Sequence, residues 1–243
     1  MSQENQNETV ERIVKENFTV KVGEQLFAKD VLRPIVDLRW PSAIELATLT
    51  GVVDFFKANI DKYNVEDLIC TVRGPEELII TTKIDPVVKN RINVLEIDRM
   101  KAGNDFPFGH FLNNEDFIIK LKSLFVETED QKRLLSYVSK LTVSDRIEAH
   151  DDGVTQTASV VRGSSGALKA NEVAPSIVSL RPYRTFNEIE QPASQFLFRL
   201  RHGSDKVPTC ALFEADGGAW KMTALQAIKK YLNDNIKNLT VIA

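Results

Sequence analysis

Apolar positions along the chain change their spacing several times, and each change predicts a different element. Leu49, Val52, Val53, Phe56 and Ile60 fall on one stripe of a 3.6-residue period, with Thr48 or Thr50 placed to cap the start. Asn113 or Asn114 then caps a helix that buries Phe117, Ile118, Leu121, Leu124 and Phe125. Thr128 and Gln131 form a T-x-x-Q capping box, opening a further helix with Leu134, Leu135, Val138 and Leu141 inward. A last helix runs from about Gly218 to Asn235 and buries Trp220, Ala224, Ala227, Ile228 and Tyr231. Near the start, Val10, Ile13 and Val14 predict one or two helical turns over 9–16.

Elsewhere the period falls to two. Segments 18–22 and 25–28, joined at Gly23, predict a small hairpin. Segments 68–73 and 78–84 flank the turn Gly74-Pro75-Glu76-Glu77, and a strand over 92–98 extends that sheet. After Leu141 the alternation returns in 143–150 and 154–162 around Asp151-Asp152-Gly153, then in 176–180, 194–201 and 209–214. An apolar tail over 239–242 is expected to dock as a short strand. The stretch holding Pro34 and Pro41 is expected to be extended and irregular, because proline lacks the N–H a ladder needs. Gly163-Ser164-Ser165-Gly166 reads as a flexible loop. Strands, then helices, then strands predict an α+β fold, with antiparallel sheet, a central helical pair and a C-terminal helix. We expect an N-terminal α+β region over 1–104, as a separate lobe or part of one domain. The helix pair, the later strands and the last helix make up 105–243.

Composition narrows the class. Among 243 residues, 31 Lys and Arg stand against 34 Asp and Glu, a formal net charge of −3. That balance denies the chain a global attraction to double-stranded nucleic acid, whose binders carry a basic excess. The longest uninterrupted apolar run is the four residues 210–213, far short of a membrane span. The polar, acidic start lacks the features of a secretory signal, so a cytoplasmic protein with no membrane partner is expected. Cys70 and Cys210 sit in strand-like apolar contexts and are expected to be buried free thiols.

Motifs for chemistry are scarce. No Walker loop, dinucleotide fingerprint, H-E-x-x-H, C-x-x-C or nucleophile elbow occurs. Gly217-Gly218 precedes a helix, where amides can face an anion or simply make a strand-to-helix turn. His150-Asp151 is read as turn chemistry rather than a metal pair. Asp98, Asp105 and His110 bracket a loop without a fixed geometry. The expectation is a protein with no catalytic residues, no metal and no cofactor.

One basic and aromatic group stands out. Arg199 and Arg201 share a strand face opposite Phe196, Phe198 and Leu200, while Arg181, Tyr183 and Arg184 lie on the preceding segment. Converging guanidinium groups beside a tyrosine suit a nucleotide or single-stranded nucleic acid. The favoured reading pairs these arginines with Glu188, Glu190 and Glu214 on a solvated sheet face.

From Phe106 to about Ile228 the order of segments is distinctive. FPFGHFLNNEDFIIKLKSLF is followed by DDGVTQTASV, RPYRTF, QPASQFLFRLRHG and ALFEADGGAWKMTALQAI. That order resembles the YfdQ-like family of uncharacterised phage and prophage proteins. The resemblance implies a phage or prophage origin and carries over no catalytic residue. Together with the missing motifs, it leads us to expect a non-enzymatic interaction protein that binds itself, as a homo-oligomer, or another protein. The self-association would use strand edges in 196–200 and 210–213. The alternative is a binder of single-stranded nucleic acid or of a nucleotide through Arg181, Tyr183, Arg184, Arg199 and Arg201.

Overall fold

A computed structural model describes residues 19–28, 41–86, 89–100, 105–141, 146–151, 156–161, 172–202 and 207–243. The helical turns expected over 9–16, the segment around Pro34, the turn at Asp152-Gly153 and the loop 163–166 lie outside the described residues. The protein has an α+β fold, and it divides into two compact units, 1–42 with 83–92 and 43–82 with 93–243. In the first unit, β1 (Thr19–Val22) and β2 (Gln25–Ala28) pair antiparallel, with Val22 opposite Gln25. This is the hairpin expected around Gly23.

The second unit begins with β3 (Ile44–Leu46), α1 (Leu49–Ala58), β4 (Leu68–Val72), β5 (Glu77–Thr82) and β6 (Asn93–Asp98). It continues with β7 (Leu112–Asn113), α2 (Asn114–Ser123), α3 (Glu129–Ser139), β8 (Arg146–Asp151), β9 (Gln156–Val161) and β10 (Glu172–Val173). It ends with β11 (Ile177–Leu180), β12 (Ser194–His202), β13 (Pro208–Glu214), α4 (Ala219–Asn235) and β14 (Thr240–Ile242).

One sheet has the order β14-β4-β5-β6-β3. Its centre is the expected antiparallel meander, but both outer pairings are parallel: β14 runs with β4 and β3 with β6. The antiparallel expectation therefore needs correcting at the two edges. Each edge strand is three residues long and finds its partner far away in the chain, so no hairpin signal announces it. The helix α1 lays Leu49, Val52 and Val53 on this sheet, and α4 adds Ile228 and Leu232 to the same core. On α4 the fully buried stripe is Ala224, Ile228 and Leu232, while Trp220, Ala227 and Tyr231 are half-buried.

A second sheet, β11-β12-β13-β7, is antiparallel throughout. The alternation on β12 works as read: Phe196, Phe198 and Leu200 face a core completed by Phe117 and Leu121 of α2 and by Leu134 and Val138 of α3. Asn113 caps α2 by accepting the Asp116 N–H at 2.8 Å. Thr128 caps α3 by accepting the Gln131 N–H at 3.2 Å. The return half of that capping box is absent, because the Gln131 amide donates instead to the Leu121 carbonyl at 3.2 Å and ties α3 to α2. A third sheet has the order β10-β9-β8.

β12 pairs with β13 over 196–202 and with β11 over 194–197, and the Phe198 N–H adds a bond to the Ser176 carbonyl. β13 meets β7 at Thr209 and Cys210 and the Gly109 amide at Leu212. The two strand segments expected to offer edges for self-association thus have neighbours within the chain over part of their length. Among the described residues, no helix is long and apolar enough to cross a membrane.

Candidate functional site

The segment 181–191, between β11 and β12, joins the two cores of the second unit. Its first residues make an isolated bridge to the end of α2: Val126 N–H donates to the Arg181 carbonyl and Tyr183 N–H to the Leu124 carbonyl, both at 2.9 Å. Phe186 then plunges into the core of the other sheet. Thr185 Oγ donates to the Pro75 carbonyl, in the β4–β5 turn, at 2.5 Å. Gln191, itself buried, accepts from the amides of Arg184 at 3.0 Å and Thr185 at 3.3 Å and donates to the Phe186 carbonyl at 3.0 Å.

This segment positions Arg184. The guanidinium lies 3.7 Å from the centre of the Trp220 ring, at the start of α4, in a cation–π stack. It donates to Glu214 of β13 and to Ser194 Oγ of β12. Ser194 in turn donates to Asp216 at 2.5 Å. Asp216 also accepts the Gly218 N–H at 3.0 Å, so an internal carboxylate already occupies the N-terminus of α4. Gly217 and Gly218 have φ of +61° and +81°, so the pair makes the left-handed strand-to-helix turn, and external anions have no vacant amide at Gly218 to seek.

A cavity of about 230 Å³ opens beside this stack. Its polar wall is Arg184, Glu214, Glu76, Arg99 and Asp105, and its apolar wall includes Phe106, Phe108, Leu124 and Pro182. Tyr183 and Trp220 also line it. The Arg99 side chain is 4% exposed and forks both Nε and Nη2 onto Glu76 Oε1, with Asp105 3.8 Å from Nη2. Burying a guanidinium demands such pairing, since an unpaired buried charge is strongly destabilising. Arg184 Nε and Trp220 Nε1 are buried and have no hydrogen-bond partner. Each such orphan donor costs about 1–3 kcal/mol. The carboxylate oxygens Glu76 Oε2 and Glu214 Oε2 accept nothing from the described residues.

Burial, the largest influence on the Arg184 guanidinium, draws its pKa below the usual arginine value, and Glu214 and Asp216 pull it partly back. Arg184 stays charged at neutral pH. For Asp216 desolvation raises the pKa, but Ser194, the Gly218 and Trp220 amides and Arg184 together outweigh it and lower the value. The unfolded chain therefore takes up a proton at Asp216 more readily than the folded one. Its contribution is present above the ordinary aspartate value, about pH 4, and fades as pH falls through the lowered folded value. Denaturant unfolding at pH 3 to 7 should show a shallower acid loss for Asp216→Asn than for the parent chain. Parallel acid limbs would contradict the assignment.

Of the five residues singled out in the sequence, Tyr183 and Arg184 line the cavity and three lie elsewhere. Arg181 pairs with Glu190. Arg199 donates to its neighbour's carbonyl, Phe198, at 3.2 Å. Arg201 lies over the Phe111 ring at 3.7 Å. The glutamates predicted as partners divide accordingly: Glu190 and Glu214 take arginines, whereas Glu188 accepts the Thr50 N–H at 3.0 Å. Glu76, Arg99, Phe106, Phe108 and Trp220 were not singled out as site residues. They read as a turn, a loop and a helix core, and only the tertiary fold gathers them.

Burial pushes both the Cys70 and Cys210 thiols up to about 12, which keeps them protonated and poorly nucleophilic at neutral pH. Among the described residues no group of His, Cys, Asp or Glu is arranged to hold a metal ion. His150 and Asp151 sit on β8, and Asp105 faces Arg99 rather than a cluster with His110. No family model, no curated protein and no solved structure matches the chain.

Proposed function

We propose that this chain is a phage- or prophage-encoded, non-enzymatic binding protein that works through the cavity beside the Arg184–Trp220 stack. The observation that carries the reading is the cavity itself: two nine-tenths-buried arginines, four aromatic rings and three carboxylates gathered on one opening of about 230 Å³. Mostly apolar walls with a few converging polar groups are the usual build of a small-molecule site, and sites for drug-sized ligands run to about 300–1,000 Å³. This one suits a smaller, fragment-sized ligand. The phage setting rests on the segment order between Phe106 and Ile228. A chemically broad fragment set, followed by thermal shift, tests the binding reading. Compounds that raise the melting temperature of the parent chain should lose that effect in Leu124→Phe, which narrows the cavity from the end of α2. Compounds that stabilise both forms equally, or a set with no stabilising compound, would overturn it.

A further inference from the structure

The arginines first suggest an anion, but their partners reverse the sign. Arg99 is held by Glu76 and Asp105, and Arg184 by Glu214 and Ser194, so both positive charges are already matched by carboxylates. Arg184 Nε alone of the Arg184 nitrogens is left, for an uncharged acceptor rather than a phosphate. Three carboxylates against two guanidinium groups leave the wall with one excess negative charge. Asp216, behind Ser194, adds another nearby. Glu76 and Glu214 each keep a second oxygen that accepts nothing from the described residues. Between them the wall turns apolar and aromatic, with Phe106 and Phe108 at 5.0 Å centre to centre and Tyr183 40% exposed. Aromatic faces and carboxylate oxygens around one apolar opening attract a positive group carried on an apolar body.

We propose that the cavity takes a small organic cation, an ammonium group borne on an aromatic or short apolar body. The body lies against Phe106, Phe108 and Tyr183, and the ammonium donates to the spare oxygens of Glu76 and Glu214, with Asp105 at the mouth. A nucleotide is disfavoured, because its phosphates would meet the excess negative charge. The inference rests on the reading of the cavity as a binding site, and its test separates the two.

The probes are 2-phenylethylamine, its neutral N-acetyl amide, phenylacetate and guanosine monophosphate, each titrated calorimetrically into the full chain at pH 7. The amine should bind one per chain, and about ten- to a hundredfold more tightly than the amide, the margin of one hydrogen bond to a charged group. The anions should not bind. Asp105→Asn removes a charge from a side chain that is 65% exposed, and Arg99 keeps its two hydrogen bonds to Glu76. The variant should therefore stay folded, with melting temperature recorded, while weakening the amine and not the amide. Glu214→Gln should weaken the amine further, with melting temperature recorded beside it. An amide that binds as well as the amine, tighter binding of either anion, or silence from all four probes overturns the cation. In each of those cases the binding reading stands or falls separately on the Leu124→Phe comparison.

Discussion

Phe186→Ala is expected to lower the unfolding free energy by about 3–5 kcal/mol, the range for a buried phenylalanine cut back to alanine. The ring is 1% exposed and packs in the core beneath the five-stranded sheet, among residues of α1, β4, β5 and α4. Its backbone, however, belongs to the segment between β11 and β12 of the other sheet. The substitution therefore opens a cavity in one core and loosens the strap that holds Tyr183 and Arg184 in place. Urea unfolding should show a lower midpoint at an unchanged slope. The ligand-induced thermal shift should fall as well, because the cavity wall loses its anchor. A cost below about 1.5 kcal/mol would mean that neighbouring side chains close over the hole.

The parts of this fold that could be read in advance are those whose partners are near in the chain. The stripe from Leu49 became α1, Asn113 and Thr128 became N-caps, and the turn at Gly74 joined β4 to β5. The alternation Phe196, Phe198, Leu200 correctly separated the two faces of β12. Strands β3 and β7 left no mark, because two or three residues show no period and their ladders are formed with distant segments.

The site divides the same way. Tyr183 and Arg184 are visible in SLRPYRTF as an aromatic beside arginines, but the rest of the cavity wall comes from Glu76, Arg99, Glu214 and Trp220, spread over most of the second unit. Arg184 and Trp220 illustrate the difficulty. One reads as a surface charge and the other as a helix-core residue, yet the guanidinium lies over the Trp220 ring just after the turn at Gly217-Gly218. Charge pairing of this kind is decided by which chain segments meet, and local periodicity carries no information about that.

Gln191→Ala is expected to be the second most damaging change, at about 2–4 kcal/mol. The side chain is 5% exposed, and its amide substitutes for a ladder within the 184–191 segment. Its oxygen accepts the Arg184 and Thr185 amides, and its nitrogen donates to the carbonyls of Phe186 at 3.0 Å and Ile189 at 3.4 Å. Truncation leaves two buried N–H groups and at least one carbonyl without partners. Each costs about 1–3 kcal/mol, less whatever water recovers by entering. The conservative change Gln191→Glu separates the two halves of the bond set. Ionised, it keeps the acceptors for Arg184 and Thr185 but loses the donors and sets a charge in a buried place. Protonated, it regains one donor. Gln191→Glu should therefore approach parent stability towards pH 4, while Gln191→Ala stays low at every pH. Equal losses for both variants across that range would show that the segment is held by Phe186 and Thr185 alone.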